Sequence, residues 1–196
     1  MSDARTALLE LVLSPALRPD QVRDHQAEIH GAVREQSRYL READFTAIHP
    51  RDLAFLFKAY DERFFSGLCR PALNGRSLTF RLSERMTRAG GKTTRFHSRL
   101  TGETRFEITI AASMLFEGFG NTHRNVAVCG LECQDRLEAL QRVFEHELIH
   151  LVEHLCWDCS DCAAARFQKV GGGRGRHEGQ KQQRVNLREG GEVAGK

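Results

Sequence analysis

The chain has 196 residues, 40% of them hydrophobic and 28% charged, and a formal net charge of +3. That length can bury a core without disulfide or metal staples, and its apolar stretches, about ten residues at most and broken by charge, are too short to span a bilayer. Asp3 and Glu10 interrupt the N-terminal apolar run and make it a poor secretory signal, and three of the six cysteines crowd into one short cluster, so a soluble cytoplasmic protein with reduced thiols is expected.

Residues 1–44 read as polar helices. Leu8, Leu9, Val12 and Leu13 form a short apolar stripe that stops at Ser14-Pro15, and a charged stretch follows from Asp20. This pattern predicts a helical arm that packs on the main domain. The main domain, residues 45–168, gathers pace after His49-Pro50. Leu53, Phe57, Tyr60 and Phe64 recur at helical spacing over residues 52–66, and Gly67 is placed to cap that helix.

Strand character comes next. SLTFRLS alternates Leu78, Phe80 and Leu82; KTTRF, after Ala89-Gly90-Gly91, is placed to pair with it; TRFEITIA sets Phe106, Ile108 and Ile110 on one face. Residues 121–130 are rich in turn formers. Residues 134–157 turn helical again, and a further helix is expected from Ser160. Helix, three short strands and helix in that order predict an α+β fold.

The last segment, residues 169–196, has seven Lys or Arg against three Asp or Glu, a balance of +4. The rest of the chain therefore has 22 against 23, or −1. Eight glycines and no aromatic residue leave this tail too little apolar surface to offset the entropy of ordering it, so it is expected to be disordered. Its GRGR string loosely resembles Arg-Gly segments that touch nucleic acid, and a solvated end is the plainer reading.

The chemistry concentrates in FEHELIHLVEH. His146 and His150 lie four apart, about 40° from each other on a helix, so both can reach one metal ion from the same face. Glu147 stands beside them, placed to take a proton from a water activated by that metal. Leu137, Leu140, Phe144, Leu148, Leu151 and Leu155 form an apolar stripe roughly 120–160° round the helix, which would let one face pack while the other presents ligands. Two surface histidines on an amphipathic helix would give the same string.

A catalytic zinc needs three protein ligands and an open position. His154 continues the series, but each turn moves about 6 Å along the axis, so three successive turns do not converge on one ion. In CWDCSDC, Cys156, Cys159 and Cys162 have metal-like spacing, although reduced cysteines near a helix turn would look alike. Cys162 is the leading candidate for the third ligand because a helix opening at Ser160 or Asp161 would favour its thiolate. His154 and His177 are the alternatives.

These residues resemble a known family. AYDERFFSG, a strand, the AGGKT turn, EITIAASML and then the HELIH helix are similar to the SprT-like zinc metalloprotease domain of bacterial SprT and Spartan-type proteins, over residues 45–168. The resemblance implies a zincin-like fold, Zn2+ on His146 and His150, Glu147 as catalytic base and a protein or peptide substrate. The family's third ligand is a histidine at the place taken here by Ala163, with Cys162 beside it and Phe167 in the family's aromatic position. Some members act on DNA-associated proteins, so a weak DNA contact is a further expectation. The substrate is expected to pair along the TRFEITIA strand, touching Arg105 and Phe106. Two other readings compete: a non-catalytic metal-binding or DNA-associated module, and a redox switch in CWDCSDC that captures or releases zinc.

Overall fold

The computed structural model describes residues 3–119, 126–128, 130–163, 170 and 186–187. Local signals place most helix starts. Pro19 opens α2 (Pro19–Gln36) after the short α1 (Asp3–Leu13), and Gln21 turns its side chain back to accept from the Arg18 N–H. Pro50 opens α3 (Pro50–Phe65), where the His49 ring accepts from Arg51 N–H and Asp52 accepts from His49 N–H. Ser66 and Gly67 both turn left-handed, at φ 54° and 72°, to close α3 against the Asp61 carbonyl. A single-turn α4 (Cys69–Ala72) follows.

β1 (Leu78–Ser83), β2 (Gly91–His97) and β3 (Thr104–Ala111) form one sheet in the order β1-β3-β2. β1 runs parallel to β3 and β2 antiparallel to it. The expected pairing of KTTRF with SLTFRLS is therefore corrected: both strands pair with TRFEITIA and not with each other. The reason lies in burial. Phe106, Ile108, Ile110 and Ala111 are all buried, whereas β1 and β2 alternate with exposed positions, and the most apolar strand takes the place where both of its backbone edges are bonded.

A short α5 (Ala112–Gly118) and the paired strands β4 (Val126–Val128) and β5 (Leu131–Cys133) lead into α6 (Arg136–Trp157), capped by the Asp135 carboxylate. The predicted stripe from Leu137 to Leu155 is buried throughout. Ala139, Val143, Ile149 and Val152 on its other sides are buried too, because α1, α3, the sheet, α5 and β4 all pack against this helix. α6 is thus the central pillar of an α+β fold, with far less free surface than a two-faced helix would have.

Leu8, Val12, Ile29 and Val33 of α1 and α2 belong to the same continuous core. The N-terminal helices thus pack on the main domain and also complete its interior. In the segment expected to be disordered, Val170 is buried in the core and β6 (Asn186–Leu187) pairs with β4; its other residues lie outside the described residues, as does most of the helix expected from Ser160. No described helix is long and apolar enough to cross a membrane.

Candidate metal centre

One turn of α6 brings the imidazoles of His146 and His150 together. Their Nε2 atoms stand 3.1 Å apart with the rings near-perpendicular, and both side chains are half-exposed. Two nitrogens bound to one zinc at 2.0–2.1 Å are about 3.3 Å apart at the tetrahedral angle, so the observed spacing fits a shared cation.

The tautomer supports the same arrangement. His150 Nδ1 lies 2.5 Å from Ser160 Oγ, and that hydroxyl donates to Glu153 Oε2 at 2.8 Å. With its proton committed to Glu153, Ser160 accepts from the imidazole, which places the ring proton on Nδ1 and leaves the Nε2 lone pair facing His146. Glu153 is fully buried and also accepts the Asp161 N–H at 3.1 Å. A buried carboxylate acting through a serine thus orients the second histidine, the role that outer-shell carboxylates play in metal sites.

The turn carrying Ser160 is held from outside. Asp158 ends α6 in the left-handed region at φ 58° and redirects the chain across the last turn. Arg5 of α1 donates to the Cys156 carbonyl and to the Asp158 carboxylate, and Arg95 of β2 donates to the Asp158 carbonyl. Sequence-distant arginines therefore fix the serine that fixes the histidine.

Glu147 turns toward β2 and is almost completely buried. Thr93 Oγ1 lies 2.8 Å from both its Oε2 and its backbone carbonyl. The carboxylate occupies room that exists only because residue 91 is glycine: a Cβ there would stand 2.7 Å from Glu147 Cγ and 2.9 Å from Oε1. Thr93 and Gly91 together form a shaped berth for this side chain.

The other sequence candidates fall elsewhere. His154, one further turn on, has rotated under the sheet, where its ring lies 6.0 Å from that of Phe106. Burial, aided by Arg95, holds its pKa below the ordinary value. His154 thus packs against the sheet. Cys162 is half-buried against the core, Cys156 is buried and Cys159 exposed. Among the described residues no group of three His, Cys, Asp or Glu side chains forms a metal-holding set; His177 and residues 164–169 lie outside them.

The expected substrate contact at Phe106 and the expected pairing along TRFEITIA are corrected. Phe106 is fully buried and its strand lies between two others, so TRFEITIA offers no free edge. Arg105 projects from the outer face of the sheet, its guanidinium 3.9 Å from the Phe96 ring centroid. The edge strand beside α6 is β2, whose Thr93 touches Glu147.

Sequence reasoning gave no site role to Gly91, Thr93 or Glu153, and took Ser160 only as the opening of a helix. Only Glu153 left a signal, as an acid three residues past His150 amid buried positions. Compared with family models, curated proteins and solved structures, the chain matches none.

Proposed function

We propose that this chain is a zinc-dependent metallopeptidase of the SprT-like kind, hydrolysing peptide bonds with Glu147 as general base. The observation that carries the reading is the pairing of the two Nε2 atoms at 3.1 Å beside a carboxylate seated in its own berth. His146 and His150 would hold the ion, with a third ligand, Cys162 or His177, completing the set. When bound, zinc supplies the Lewis acidity that polarises a scissile carbonyl and makes a water nucleophilic at neutral pH.

The chain's own residues do the rest. Glu147 accepts the proton of the attacking water and returns it to the leaving amine. Thr93, bonded to one carboxylate oxygen, fixes the side chain's rotamer. Glu153 and Ser160 keep the His150 lone pair pointed at the site. An extended substrate would add to the edge of β2, which passes directly over Glu147.

Gly91 and Thr93 also weigh against a non-catalytic binding module, because a purely structural site has no use for a fitted carboxylate outside its ligand set. The test is direct: measure the zinc content of purified protein and its hydrolysis of casein, for wild type and Glu147→Gln. Stoichiometric zinc in both with turnover only in the wild type is the expected result. Wild-type protein that takes up no zinc would overturn the proposal.

A further inference from the structure

The near-neutral body of the chain conceals a strong segregation of charge. Residues 76–105, which hold β1, β2 and their turns, contain eight Lys or Arg against two Asp or Glu, a balance of +6. The remaining residues before 169 contain 14 against 21, or −7. Register places Lys92, Thr94 and Phe96 of β2 on the outer face with Arg105, Glu107 and Thr109 of β3, while Thr93 and Arg95 face α6.

Of the acids close to this region, Asp158 is matched by Arg5 and Arg95 and Glu107 by Arg81, while Glu84 and Glu103, the two within it, are exposed and have no ion-pair partner among the described residues. Arg85, Arg88, Lys92, Arg99 and Arg105 are exposed and have no ion-pair partner among the described residues. They lie on the turn before β2, on β2, on the turn after it, and on the β3 face beside it. An array of unmatched cations therefore runs the length of the one strand whose edge overlooks Glu147.

We infer that this edge takes an extended polypeptide segment rich in Asp and Glu. The inference deepens the hydrolase reading by naming its substrate class, although binding itself does not depend on that reading. Two features favour a peptide over a single-stranded nucleic acid. From Lys92 to His97, β2 pairs with β3 alone among the described residues, and main-chain pairing along such an edge is open to a peptide and closed to a sugar–phosphate backbone. The aromatic ring on this face, Phe96, already lies under the Arg105 guanidinium, so the stacking platform on which single strands depend is covered.

The test uses the full chain with Glu147→Gln to prevent turnover, and fluorescein-labelled peptides of equal length, one with Asp and Glu throughout and one with Asn and Gln in their places. Anisotropy should show the acidic peptide binding about tenfold tighter or more at low ionic strength, the preference shrinking as salt is raised. Lys92→Gln should reduce that preference and the Arg88→Glu, Lys92→Glu pair should abolish it. Arg38→Glu, on the connection after α2 and a larger charge change than Lys92→Gln, should retain it.

Equal binding of the two peptides overturns the inference. So does a single-stranded oligonucleotide that displaces the acidic peptide at lower concentration than unlabelled peptide does. Turnover by zinc-loaded wild type separates the two proposals. Cleavage of acidic and amide peptides with equal kcat/KM refutes the substrate class and leaves the hydrolase. Selective binding with no cleavage of either refutes the hydrolase and leaves the surface.

Discussion

Helix α6 buries three glutamates, and the two sides of the helix use them differently. On one side Glu145 meets neutral donors from elsewhere in the chain: Tyr60 OH at 2.8 Å and the Gln26 amide at 2.7 Å, with Gln141 bonded to the tyrosine in turn. Burial raises its pKa to about 7, moderated by those hydrogen bonds, and burial together with the carboxylate raises the Tyr60 pKa as well. Elsewhere on the helix Glu147 meets Thr93 of β2, and Glu153 meets Ser160, which is bonded to His150. A buried, perturbed carboxylate is thus not itself a site. Glu145 knits α2 and α3 to the pillar, whereas Glu147 is seated against β2 and Glu153 holds the serine bonded to His150.

Four substitutions probe this contrast, beginning with the largest effect. Glu147→Gln should cost about 10²–10⁴-fold in kcat for peptide hydrolysis, the usual loss for a general base, with zinc content unchanged. Glu145→Gln, two residues away, should leave turnover intact, and equal losses in the two variants would erase the distinction between the two sides.

Glu145 should instead show itself in stability. Its native pKa lies above the ordinary 4.5, so the group takes up a proton on folding between those values. The contribution of the protonated form is fully present below pH 4.5 and is lost as pH rises through about 7. Glu145→Gln removes this liability while keeping an acceptor for Tyr60. Urea unfolding should find the variant more stable than wild type by roughly 2–4 kcal/mol at pH 8 and little different at pH 4.

Ser160→Ala breaks the link between Glu153 and His150 without touching either ligand. Zinc affinity, measured by competition with a chelator, should fall about 10–100-fold. The ring proton of His150 in the metal-free protein should also no longer be fixed on Nδ1, a shift visible in its 15N spectrum, and Ser160→Thr should restore both. The smallest effect is expected of Gly91→Ala. Its methyl group overlaps Glu147, so a stability loss of about 1–3 kcal/mol should accompany lowered turnover.

Much of this was legible along the chain because it is periodic. Leucines at helical spacing marked α6, and alternation marked β1 and β3, since burial on one face repeats with the geometry of the backbone. His146, Glu147 and His150 were legible for the same reason: their alignment is a property of one helix turn. Strand order was not, because β2 and β3 compete for the centre through total burial and not through any local pattern. The roles of Gly91 and Thr93 were hidden likewise, since they depend on β2 lying across α6.

The sequence alone therefore determined a helix that presents two imidazoles on one face, because residues four apart must share it, with a carboxylate next to them in the chain. Tertiary structure decided what those groups are able to do. It set the edge strand above them and shaped a glycine-walled berth for Glu147. It also folded the chain back at Asp158, so that Ser160 and buried Glu153 fix a single histidine tautomer. Each of these joins groups from separate elements, and no spacing within one element encodes a contact between two.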